Sequence, residues 1–132
     1  MKAALFVIAI LLGVVFLPIG LVYSMLYRVV FTTRSNAKAS DYFHTCALAI
    51  DQLGNVFCSD LFNSTLIYVT ATHPFGDADQ TISAVLGYAQ EEKTLTTLGH
   101  ALANLLDAID PNHCNKAMIA DIEQCQQLKT QS

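Results

Sequence analysis

Charge is scarce in this chain: 14% of its 132 residues are charged and 53% are apolar, a balance that makes an ordinary soluble domain a poor description. No charged side chain falls between residues 3 and 27. Bases are few beyond that stretch too. From residue 32 onward there are 11 acids against five bases, a net charge of −6. A surface that neutralises phosphates needs clustered Lys or Arg, so a nucleic-acid groove is excluded. The apolar excess excludes a disordered polyelectrolyte, and the length excludes a large multidomain enzyme.

The apolar excess is concentrated at the start of the chain. Residues 3–27 form an uncharged run of 25, and as a helix they would reach roughly 37 Å, more than the ~30 Å hydrocarbon core of a bilayer. Apolar side chains surround the whole circumference, with no polar face of the kind a surface-lying helix needs. Pro18 and Gly20 interrupt the run and are expected to kink it. Tyr23, Tyr27 and Arg28 mark the far boundary. A cleaved leader ending near Tyr23-Ser24 is the competing reading. Against it, the apolar run continues through Met25, Leu26 and Val29 to Phe31. Arg28, Arg34 and Lys38 on one side outweigh Lys2 and the amino group on the other, which favours a cytoplasmic C-terminal domain.

After a polar linker over 32–39, helical spacing takes over. Phe43, Cys46, Ile50, Leu53 and Phe57 recur at steps of three and four and predict a helix that turns this stripe to a core, capped by Ser40. A second helix is expected to open at 76–80, with Asp77 and Gln80 in a variant capping box, and to bury Ile82, Val85, Leu86 and Ala89. Gly87 marks its end or a close contact. The third, from about Thr94 to Asp110-Pro111, lines Leu95, Leu98, Leu102, Leu105, Leu106 and Ile109 along one side. The fourth runs over 115–129. Between the first and second helices, Leu66 to Thr70 are strand formers and leave room for a short strand or hairpin arm across 61–72. The fold class is therefore mainly α: one transmembrane helix (1–31), a linker, and a small domain of about four helices with a short β-hairpin (40–129). A disordered tail (130–132) follows.

The polar faces hold the candidate site. His44, Asp51 and Asn55 share one side of the first helix, as contacts for a ligand or partner or as a solvated face, the second being commoner for surface helices. His100, Asn104 and Asp107 are placed toward solvent on the third helix unless another element covers them. The Asp77-x-Asp79-x-Thr81 spacing lacks the Gly and Glu of a calcium loop, since Ile82 and Tyr88 stand at those positions. Asn63-Ser64-Thr65 matches a glycosylation sequon, read as a chance match.

Four cysteines contain no Cys-x-x-Cys pair. Helical rise would separate Cys46 from Cys58 by about 18 Å and Cys114 from Cys125 by about 16 Å, too far for a disulfide within either helix. A bridge would have to join the first helix to the C-terminal part. A scattered zinc site on His44, Cys46, His113 and Cys114 fits no metal template. Small buried thiols are the expectation, with no metal and no cofactor.

Four stretches carry a resemblance: Asp51-Gln52-Leu53-Gly54-Asn55, Leu61 to Ile67, Phe75-Gly76-Asp77-Ala78-Asp79-Gln80-Thr81-Ile82-Ser83, and Asp110-Pro111-Asn112-His113-Cys114. Together they resemble a family of small membrane proteins of bacteriophages, prophages and mobile elements with no assigned activity. The matching pattern covers about 41–114. Ala78 stands where that pattern often has Pro, Gln80 where it often has Glu, and Ala84 where it often has Ser, so no catalytic Glu carries over to position 80. The resemblance implies genomic context rather than chemistry, and it singles out Asp51, Asn55, Asp77, Thr81, Ser83, His113 and Cys114 as a candidate polar binding cluster.

These features favour an accessory protein that is not an enzyme, anchored by one helix and presenting an acidic helical domain to a protein partner, with no nucleic acid involved. One alternative is a membrane-tethered hydrolase or metal-dependent enzyme using Asp51, Asp77, His113 and Cys114 in one cleft. The other is a lysis or membrane-remodelling protein built on the apolar segment.

Overall fold

The computed structural model describes residues 2–31 and 36–131. Its elements are α1 (Lys2–Phe31), α2 (Asn36–Phe57), α3 (Ser59–Thr65), α4 (Ile82–Glu91), α5 (Thr97–Ile109) and α6 (His113–Gln131). The mainly α class holds, and the chain divides into two compact units, 1–44 and 45–132.

In the first unit, α1 is one continuous helix with Pro18 inside it. Its large apolar side chains from Leu5 to Tyr27 stand open, among them Val14, Phe16, Leu17 and Ile19. Lys2–Arg28 is long and apolar enough to cross a membrane, a criterion that a leader sequence also meets. Residues 32–35 of the expected linker lie outside the described residues, whereas 36–39 are already the first turn of α2, so Ser40 is interior and not a cap. At the other end the helix continues through Gln131 where a disordered tail was expected, and Ser132 lies outside the described residues.

In the second unit α4 is the centre. Ala84, Val85, Leu86 and Ala89 are all at most 1% exposed, the pattern of a short helix covered on several sides. It packs on both α5 and α6, and α5 packs on α6. Leu66, Ile67, Phe75, Leu95, Ala103 and Cys114 complete the core. The strand arm expected across 61–72 is replaced by a helix and a single antiparallel bridge, Ile67 to Leu95. Residues 59–65 became helical because Phe62 and Asn63, one face of a short turn, have partners in the Phe75 ring and backbone. Strand propensity at Leu66 and Ile67 found one neighbour, not a sheet.

Helix α5 also departs from expectation. Its buried positions are Gly99 and Ala103, with Leu102 and Leu106 against the core, while Leu98, Leu105 and Ile109 are 57%, 59% and 77% exposed. Small residues at the contact let backbones approach, which turns the larger leucines outward. Gly99 is the tightest case: a Cβ there would lie 2.1 Å from the Leu66 carbonyl oxygen. Gly87 plays the same part for α4 and α6, since its Cβ would meet the Cys114 carbonyl oxygen at 2.3 Å.

Both close approaches are to backbone, which cannot swing aside. Gly99→Ala and Gly87→Ala are each expected to destabilise the domain by about 1–3 kcal/mol, read as a lower urea midpoint. Gly20→Ala, where a Cβ meets nothing within 4 Å, should leave that midpoint unchanged.

Candidate functional site

The turn from Phe75 to Ile82 runs against α2 before α4 can start; its two ends are partly or fully buried while residues 76–79 stay exposed, so the backbone groups that face α2 lose part of their contact with water. Unpaired buried amides and carbonyls cost about 1–3 kcal/mol each. The chain supplies their partners from side chains on α2 and α3. Asn63 donates to the Phe75 carbonyl at 2.9 Å and accepts from its amide at 2.8 Å. Asn55 accepts from the Gly76 amide at 3.0 Å and donates to the carbonyls of Asp77 and Gln80, both at 2.8 Å. Gln52 donates to the Asp79 carbonyl at 3.2 Å.

Asp51 completes the set at the helix start. One carboxylate oxygen accepts from the Ile82 amide and the other from the Ser83 hydroxyl, each at 3.0 Å. The negative charge thus sits at the positive end of the α4 dipole. Thr81 is the N-cap, accepting from the Ala84 amide at 3.0 Å. This corrects the expected cap at Asp77, whose carboxylate instead closes a small turn on the Asp79 amide at 3.0 Å. Thr81 wins because Asn55 already holds the Asp77 and Gln80 carbonyls, which leaves the helix free to begin only after position 81.

Of the polar face of α2 expected to be solvated, Asp51 and Asn55 are therefore turned inward, while His44 stays exposed. Asn55 is 0% exposed, and the apolar stripe opposite it is open, with Phe43, Ile50 and Leu53 at 50%, 66% and 50%. An amide with two donors and an acceptor can satisfy three buried backbone groups at once, which no apolar residue can do.

Asp51, Asn55, Asp77, Thr81 and Ser83 thus come together around the start of α4. His113 and Cys114 belong to the α5–α6 corner. His113 meets the Asp110 carboxylate at 3.1 Å, and Lys116 joins the same carboxylate at 2.8 Å. Both contacts hold the Asp110 carboxyl below its ordinary range, Lys116 foremost. The Cys114 amide donates to Asp107 at 3.1 Å, so Asp107 is covered by α6 and not solvent-facing. Burial first, and then the carboxylates of Asp107 and Asp51, push the Cys114 thiol up to about 12. A thiol in that position is a poor nucleophile at neutral pH.

Sequence reasoning missed further polar anchors. Asp121, 9% exposed, accepts from the Tyr88 hydroxyl at 2.9 Å and from the Gln80 amide at 3.1 Å. Burial and Asp121 together raise the Tyr88 hydroxyl well above its ordinary range. Thr72 and His73 both bind Glu92, and the His73 ring stacks on Tyr88 with centroids 4.0 Å apart. Burial alone would raise Glu92, but these bonds outweigh it and leave the carboxyl below its ordinary range. The one sequence signal for any of this was the Asp-Gln-x-x-Asn spacing, which puts its three polar residues on neighbouring positions of one helix side.

Among the described residues no buried side-chain nitrogen or oxygen lacks a partner, and no three His, Cys, Asp or Glu side chains converge to hold a metal. All four cysteines are free thiols. The bonds of the cluster run to the protein's own backbone and side chains, so Asp51, Asn55, Thr81 and Ser83 act there as holders of the fold. No family model, curated protein or solved structure matches the chain.

Asn55→Ala would strand two carbonyls and an amide, and is expected to cost about 2–4 kcal/mol in chemical unfolding, against less than about 1 kcal/mol for the more exposed Gln52→Ala. Alkylation of the folded chain at pH 8 should modify the exposed Cys125 within minutes and leave Cys114 untouched until denaturant is added. Rapid labelling of Cys114 in the native state would contradict the burial described here.

Proposed function

We propose that this chain is a single-pass membrane-anchored accessory protein, of the bacteriophage or mobile-element type its motifs resemble, whose helical domain docks a protein partner on the cytoplasmic side. The observation that carries this reading is the outward face of α5. Leu98, Leu105 and Ile109 stand 57–77% exposed on a helix whose other side is already packed. Contiguous apolar surface on a small domain is a mark of association. The deficit of bases argues for a protein rather than a nucleic acid as what is bound.

The anchor is supported by the length and unbroken apolarity of α1, with the basic residues Arg28, Arg34 and Lys38 after it favouring a cytoplasmic domain. Against the hydrolase alternative, two of its four candidates are taken up by structural work. Asp51 is committed to Ile82 and Ser83, and the Cys114 thiol is held protonated.

Alkaline carbonate washing should leave the full-length chain in the membrane pellet, with a mature mass that includes residues 1–31. Release of the intact chain, or a mass beginning after residue 20, would overturn the anchor. With a tagged chain in its native host, Leu105→Lys combined with Ile109→Lys should reduce recovery of a co-purifying protein at least tenfold, whereas Gln52→Ala should not. Equal recovery from both would contradict docking through α5.

A further inference from the structure

Apolar residues of α2 recur at 43, 46, 50, 53 and 57, in alternating steps of three and four; Phe43, Ile50 and Leu53 are half to two-thirds exposed, and Cys46 is half-buried. That alternation is the heptad spacing of a coiled-coil seam, with Phe43, Ile50 and Phe57 at the a positions and Cys46 and Leu53 at d. The helix cannot roll to bury this stripe itself, because Asp51 and Asn55 on the other side fix its rotation through Ile82, Gly76, Asp77 and Gln80. We propose that a second copy of the same chain covers it, α2 packing parallel against α2 in a two-stranded coil.

Several features point to a second copy. The positions that flank the seam are Tyr42, Ala47, Ala49, Gly54 and Val56, none of them charged. Beside Tyr42 lies the Arg28 guanidinium, 4.2 Å from the ring centroid; from Ala47 to Val56 two identical acidic domains can meet without opposing like charges. Ile at a with Leu at d, as at Ile50 and Leu53, is the combination that favours two parallel strands over three or four. With large apolar side chains presenting roughly 150–250 Å² when fully open, the half-open seam offers roughly 500 Å² per copy, about 1,000 Å² per pair, where specific interfaces begin. Confinement to one membrane orients copies in parallel and raises their effective concentration. The parallel order, though not the seam itself, rests on the anchor reading.

Cys46 makes the arrangement testable on the intact chain, because a d residue faces its own counterpart across the axis of a parallel pair. Purified full-length protein in mild detergent, and the same protein in vesicles, would be oxidised with copper phenanthroline and mapped by peptide mass, alongside sedimentation. The expected result is a dimer at micromolar concentration, a Cys46-to-Cys46 link, and its loss in Cys46→Ser, which still sediments as a dimer. Ile50→Asp combined with Leu53→Asp should weaken self-association at least tenfold with unchanged helix content by circular dichroism. A monomer at every concentration would overturn the proposal. So would a dimer that survives the double substitution, which would place the contact on α1, or a link carried by Cys125 instead of Cys46. A shortened mature chain would overturn the anchor alone, since sedimentation still reports on the seam.

Discussion

The second unit depends on one constraint: the backbone between Phe75 and Ile82 runs against α2, and the amides and carbonyls on that side, partly shielded by the fully buried Asn55, need partners there. Seven of those groups bond to side chains of Asp51, Gln52, Asn55 and Asn63. Each bond contributes only about 1 kcal/mol net, but leaving its group bare would cost more. The bonds therefore do more than add stability. They decide where the turn lies, where α4 can begin, and which side of α2 faces the domain.

The orientation of α2 has consequences for the whole surface. Because the polar side of the helix is spent inside, its apolar side is left outside, and the same inversion recurs more weakly on α5, where Gly99 and Ala103 take the contact and Leu98, Leu105 and Ile109 do not. Exposed apolar side chains on both helices are the observations on which the proposed docking and self-association rest. The two faces suit different neighbours. The α2 seam has the regular spacing and uncharged flanks that suit a copy of itself, and α5 offers a shorter patch near the acidic corner formed by Asp107 and Asp110.

Much of the architecture was legible from periodicity. The long uncharged run gave α1, and the stop at Asp110-Pro111 placed the end of α5 correctly. The buried face of α4, with Val85, Leu86 and Ala89, was read as it stands. The site residues around Asp51 and Thr81 were noticed, but their work was not. Periodicity locates an apolar stripe without saying whether it is covered, and it assigns a polar stripe to solvent by default. Asn55 defeats that default because an amide can pair with three backbone groups that lie more than 20 residues away in sequence. The strand arm expected across 61–72 gives way to a helix for a similar reason, since the partner that makes 59–65 helical, the backbone of Phe75, is supplied by tertiary contact. The cap moved from Asp77 to Thr81 for the same reason.

The most direct test is native-state amide hydrogen exchange on the full-length chain. The amides of Phe75, Gly76 and Ile82, held by Asn63, Asn55 and Asp51, should exchange as slowly as those in the middle of α4, in one cooperative unit with it. Exchange of these three at the rate of an open turn, while α4 stays protected, would mean that the side chains of α2 do not hold the turn, and the account would fail at its base.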